Sequence, residues 1–129
     1  MRAVAITAFL AVFVTQGVFA AEPALTGLFS TFQQSEKAGD ISGAEIHIVP
    51  NPKGLSVIVQ GSEGAPGFPE VLDVRTAGTT VMFTVPEHSA SGLVAGEYRG
   101  TVTKKGLRLR GPRGLYEDYF LPRKPSFWQ

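Results

Sequence analysis

Cysteine is absent from the entire sequence, which excludes disulfide staples, thiolate nucleophiles, cysteine-metal centres and a lipidated N-terminal thiol. Whatever fold forms must be held by its own core. Histidine occurs only as His47 and His88, so imidazole chemistry has just two carriers, and His88 has no obvious partner nearby. No glycine-rich phosphate loop, dinucleotide fingerprint or calcium loop is present. Gly61-Ser62-Glu63-Gly64 lacks both the spacing and the strand-to-helix setting of a serine nucleophile turn. Internal repeats, low-complexity tracts and long linkers are missing as well. No cofactor and no resident metal are expected.

The longest apolar run lies at the start. Arg2, the apolar run 3–14 and the Val18-Phe19-Ala20 ending have the three features of a secretory leader: a positive start, a short apolar stretch and small residues at the cleavage site. The run is about 12 residues, against the roughly 20 that a membrane-spanning helix requires. Cleavage after Ala20 is expected. Residues 1–20 are then a signal peptide, and residues 21–129 form one domain that acts in the periplasm or outside the cell. No membrane-spanning segment is expected in the mature chain.

Charge is balanced overall, with 12 basic and 11 acidic residues, but it is split along the chain. Residues 21–98 carry three basic side chains against nine acidic ones, net −6. Residues 99–129 carry eight basic side chains against Glu117 and Asp118, net +6. A basic last third is suited to an anionic polymer, lipid headgroups or an acidic envelope protein. Pairing of late basic strands beside early acidic ones would cancel it instead. Nucleic acid is not expected, given the compartment and the near-neutral whole.

Beyond the leader, apolar residues alternate with polar ones, and glycine or proline clusters interrupt them about every ten residues, so strands are expected rather than helices. Residues 25–33 fit a strand, or a short helix through Leu25, Leu28, Phe29 and Phe32. Ala44, Ile46 and Ile48 alternate with Glu45 and His47, Pro50-Asn51-Pro52-Lys53-Gly54 is turn chemistry, and 55–60 is a largely apolar strand. The three glycines and two prolines of 61–69 predict a surface loop. Further strands follow around Leu72 and Val74, Val81 to Val85, Tyr98 to Val102, and Leu107 to Leu109. Lys104-Lys105-Gly106 predicts a hairpin and 115–121 a last strand. Gly96 and Gly100 flank Tyr98 and permit sharp coiling. The predicted fold is therefore all-β: an up-and-down meander curled into a seven- or eight-stranded barrel or a strongly bent sheet, its interior filled by side chains.

Gly39-Asp40-Ile41-Ser42-Gly43-Ala44-Glu45-Ile46, the Glu63-Gly64-Ala65-Pro66 segment, the Gly96 to Gly100 strand and the ending from Leu121 through Phe127-Trp128-Gln129 resemble a group of small exported bacterial β-meander proteins with no assigned activity. The resemblance implies the same fold and compartment. It implies no mechanism and no site residue.

Partner binding is the leading functional expectation, through Arg99, Arg108, Arg110, Tyr119, Arg123, Phe127 and Trp128, because aromatic residues beside arginine are typical of interface hot spots. The tail 122–129 is expected to lie across the open end of the barrel as a plug. A small apolar ligand held in the barrel, as in lipocalins, is the alternative. A hydrolase or metal site using Asp40, Glu45 and His47 is the third reading, since Glu45 and His47 fall on one face of a strand. The expected outcome for catalysis is none.

Overall fold

A computed structural model describes residues 23–114 and 117–127. The proposed leader and its cleavage site, the predicted strand start at Leu115 and Tyr116, and Trp128 lie outside the described residues. The described chain forms β1 (Gly27–Ser30), β2 (Gln33–Gln34), β3 (Ile41–Asn51), β4 (Gly54–Pro66), β5 (Glu70–Asp73), β6 (Arg75–Ala77), β7 (Thr80–Val85), β8 (Gly96–Val102), β9 (Gly106–Arg110) and β10 (Tyr119–Lys124), with one 3-10 turn at Pro112–Gly114.

Every ladder is antiparallel, and the strands lie in the order β5-β4-β3-β1-β10-β9-β8-β7-β6, with β2 beside β3. This is the expected meander. Pairing of β1 with β10, through Leu28 opposite Lys124 and Phe29 opposite Arg123, brings the two ends of the chain together and nearly closes the sheet into a barrel. One seam stays unsealed. β5 bonds β4, β6 bonds β7, and only Val74 separates the two short strands. Continuing the Arg75–Met82 register would set Asp73 against Thr84, yet no ladder forms there, and a cleft of about 340 Å³ lined by Leu72, Asp73, Phe83 and Thr84 opens instead. With β5 and β6 counted as one broken strand, the circuit has eight strands, within the seven or eight expected.

Alternation puts one face of each strand inside. Phe29, Ile46, Ile48, Val57, Val59, Val81, Tyr98, Leu107 and Leu121 are fully buried in one cluster. Phe83 and Tyr98 are directly opposed across β7 and β8 and stack at 5.2 Å between ring centroids. The Tyr98 hydroxyl donates to the Val94 carbonyl at 2.8 Å, so its polar end is satisfied. Gly100 makes room beside this pair, since a Cβ there would come within 2.6 Å of Leu107.

Three sequence expectations are corrected. Residues 61–66 do not form a loop, because β4 continues to Pro66 and stays bonded to β3 as far as the Ile41–Gly64 rung, and only 67–69 connect β4 to β5 as expected. The glycines there serve close approach. A Cβ on Gly61 would stand 3.0 Å from the Gly92 carbonyl, and the Gly61 amide donates to the Ser91 carbonyl at 2.7 Å. The 86–95 loop thus covers this edge, and Pro66 falls past the last rung, where its missing N–H costs no ladder bond. Near the N-terminus, Phe29 inside and Leu28 half-exposed show the two-residue period of a strand, which removes the helical reading. Among the described residues the last strand spans Tyr119 to Lys124, with a turn at 117–118 where the strand was expected, which takes Pro122 and Arg123 out of the tail and into the ladder.

Truncating the inward Phe83 to Ala is expected to lower unfolding free energy by about 3–5 kcal/mol, read from urea titration of the circular dichroism signal. Val71→Ala, at a residue 66% exposed, should change it by less than about 0.5 kcal/mol.

Candidate anion-binding face

The alternation that buries Tyr98 and Leu109 turns Glu97, Arg99, Thr101, Arg108 and Arg110 outward. Register then decides who meets whom. Arg99 lies directly opposite Arg110, and one pleat along, Thr101 lies opposite Arg108. The four outward side chains make a two-by-two block of three guanidiniums and a hydroxyl. The row extends sideways, because Arg99 is also opposite Met82, and Met82 is opposite Arg75. Like charges facing each other across a ladder oppose its formation.

Partial neutralisation is local. Arg108 donates to the Asp118 carboxylate at 2.9 Å and lies over the Phe120 ring at 5.4 Å. Arg75 and Glu97 approach to 3.8 Å. Both pairs are exposed, so each contributes about 0–1 kcal/mol. Arg99 and Arg110 have no carboxylate within salt-bridge distance among the described residues. Neither ion pair joins the acidic segment 21–98 to the basic segment that follows it. Sheet order explains this: β8 and β9 are flanked by β7 and β10, not by the acid-bearing β3 to β5. A surface cleft of about 210 Å³ covers the block, with Glu117 and Asp118 on its rim.

The remaining predicted residues are elsewhere. Tyr119 is half-buried on the inward side of β10, and its hydroxyl shares a 2.5 Å hydrogen bond with Thr31 Oγ1. Arg123 also takes an inward position. It lies over the Phe29 ring at 4.8 Å and donates to the carbonyls of Thr26, Ala24 and Thr103 at 2.9, 2.9 and 3.0 Å. Burial lowers its pKa. Gly27 lies beneath it at φ +149°, a backbone conformation that strains any residue with a Cβ, and a Cβ there would also push Arg123 Nη1 aside. At this end of the barrel the Arg123 guanidinium ties the N-terminal arm to the hairpin after β8 through backbone carbonyls. Phe127 is 88% exposed, and Ser126 meets His47 Nε2 at 3.3 Å on the outer surface. The tail does not plug the barrel through Phe127.

Glu45 and His47 do share the outer face of β3, as alternation requires, with Asp40 in the preceding loop. His47 sits between Leu28 and Ile58 in adjacent strands. Among the described residues, no three His, Cys, Asp or Glu side chains come together in a metal-holding group. The sequence reading missed two features. Asp118 is the anion paired with Arg108, and the only available signal was its position in a basic stretch. The other is a knot in which the Ser89 hydroxyl donates to the Glu70 carboxylate and shares a 2.8 Å bond with the buried Ser91. It fastens the 86–95 loop to β5 across the end of the seam, and no local pattern announces it.

Replacing Arg123 with Ala is expected to cost about 1.5–3 kcal/mol of stability, the scale of hydrogen bonds from a charged donor. Arg123→Lys should recover less than half, because an ammonium lacks the planar fork that reaches three carbonyls; paired urea titrations check both. No family model matches the chain, and no curated protein and no solved structure is similar to it.

Proposed function

We propose that the protein is an exported, non-catalytic interaction module of the bacterial envelope that docks an anionic partner on the arginine face of β8 and β9. The observation that carries this reading is the Arg99–Arg110 rung, two like charges held face to face with no carboxylate within salt-bridge distance among the described residues. A ladder that tolerates such a pair is relieved when an anion bridges it. The leader features of residues 1–20 and the resemblance to small exported proteins support the compartment. The absence of cysteine suits an oxidising one without requiring disulfides.

The lipocalin-type alternative receives no comparable support, because Phe29, Ile46, Tyr98, Leu107 and Leu121 occupy the interior where a ligand would sit. Nor does a specific observation favour chemistry at Asp40, Glu45 and His47.

Retention on immobilised heparin, eluted with a salt gradient, tests the face. The double variant Arg99→Gln/Arg110→Gln should elute at clearly lower salt than Arg113→Gln/Lys124→Gln, which removes the same charge from exposed positions outside the cleft. Equal shifts for the two variants would show that only net charge matters and would reject the docking face.

A further inference from the structure

We propose that the block of Arg99, Thr101, Arg108 and Arg110 is a phosphomonoester-binding site, and that Asp118 serves in the free protein as the internal anion a ligand displaces. The inference rests on the docking face above and names the chemistry it selects.

The number and placement of donors favour a phosphoryl group. Directly opposed residues hold their Cβ atoms about 5 Å apart across a ladder, and successive outward residues on one strand are roughly 6.5–7 Å apart. Three guanidiniums, each with five N–H donors in a planar fork, therefore rise from three corners of a small square, and the Thr101 hydroxyl occupies the fourth. A carboxylate has two oxygens in one plane and is satisfied by a single arginine. A terminal phosphoryl group presents three oxygens in a tetrahedral fan, which three forks from different corners can address together. The rigid ladder beneath, with Gly100 and Leu109 forming its middle rung, fixes these corners before any ligand arrives.

Charge points the same way. Arg99, Arg108 and Arg110 line the cleft against Glu117 and Asp118, net +1, and moving Asp118 off Arg108 leaves three guanidiniums free to face a phosphomonoester dianion. Glu117, also on the rim, rests beside Gly114, where even a Cβ would come within 3.4 Å of its carboxylate, and it makes no ion pair with the block among the described residues. The Arg108–Asp118 contact at 2.9 Å is more than half exposed on both sides. It is weak enough to open and supplies Arg108 with an anion until one arrives. Phe120, opposite Arg108 on β10, keeps the guanidinium plane over its ring at 5.4 Å and so limits where that fork can point.

The test uses the ¹⁵N-labelled mature chain titrated with inorganic phosphate at constant ionic strength, with amide shifts as the readout. Saturable shifts centred on β8 and β9 are expected in the native protein. Binding should be roughly two- to five-fold tighter in Asp118→Asn, the scale set by an exposed ion pair, and lost in Arg99→Gln/Arg110→Gln. The amide spectrum of each variant reports whether the fold is retained, and Thr101→Val provides a second, charge-neutral weakening. Vesicles of phosphatidic acid in phosphatidylcholine form the other arm. Displacement of bound vesicles by phosphate identifies a lipid-borne ester, and phosphate binding without vesicle binding identifies a soluble one. Non-saturable shifts, an Asp118→Asn variant no tighter than the native chain, or vesicle binding that phosphate does not displace would overturn the site. Retention on heparin that still depends on Arg99 and Arg110 in any of those cases would leave the broader docking reading standing.

Discussion

Antiparallel pairing of β1 with β10 is the constraint on which the rest depends. It joins the first described strand to the last, so a ribbon of neighbouring hairpins becomes an enclosure with one inside. A meander left open would expose two long edges and one apolar face. Closure removes most of that exposure at once, and it allows a chain without disulfides to bury Phe29, Ile46, Tyr98 and Leu121 in one cluster. Arg123 secures the junction from within, since its guanidinium binds backbone on the N-terminal arm and on the hairpin after β8. Three of the donors of that arginine are engaged in the architecture.

The unsealed seam marks where closure meets its geometric limit. At Val74 the chain changes partner from β4 to β7, and the two half-strands cannot both maintain full ladders. The 86–95 loop compensates at one end. It reaches from β7 across to Gly61 and Phe68 by backbone bonds and is knotted to Glu70 through Ser89. Edge protection by a covering loop is an ordinary device of β proteins; here it also explains why glycines at 61 and 67 are sterically required, as a Cβ on Gly67 would come within 2.3 Å of Ser91.

Electrostatically the molecule is organised by strand order rather than by net charge. Glu45, Glu63, Glu70 and Asp73 lie on β3 to β5 and Arg99, Arg108 and Arg110 on β8 and β9, so much of the charge split along the chain becomes a split around the surface, with Glu97 the acidic exception on β8. Arg99, Arg108 and Arg110 form its densest cluster because β8 and β9 are consecutive and carry arginine at matching outward positions. Arg75 joins the same row across β7. The chain folds against this repulsion because the inward faces of the same strands supply far more through apolar burial than exposed charges cost.

The sequence by itself determined the side of each strand. Ala44-Glu45-Ile46-His47-Ile48 and Leu107-Arg108-Leu109-Arg110 alternate so regularly that an all-β fold, an apolar interior and outward arginines follow from a period of two. It could not show that glycine-rich 61–66 stays in a strand, since the partners that accommodate Gly61 come from residues some thirty positions away. Nor could it show that Arg123 points inward, because Pro122 and Pro125 give that segment the local appearance of a tail. Only the tertiary structure decided that Arg99 faces Arg110, that Asp118 neutralises Arg108 and that Phe127 stays outside. Alternation is local and written in each strand, whereas register and closure are choices among distant pairings whose energies depend on the whole barrel.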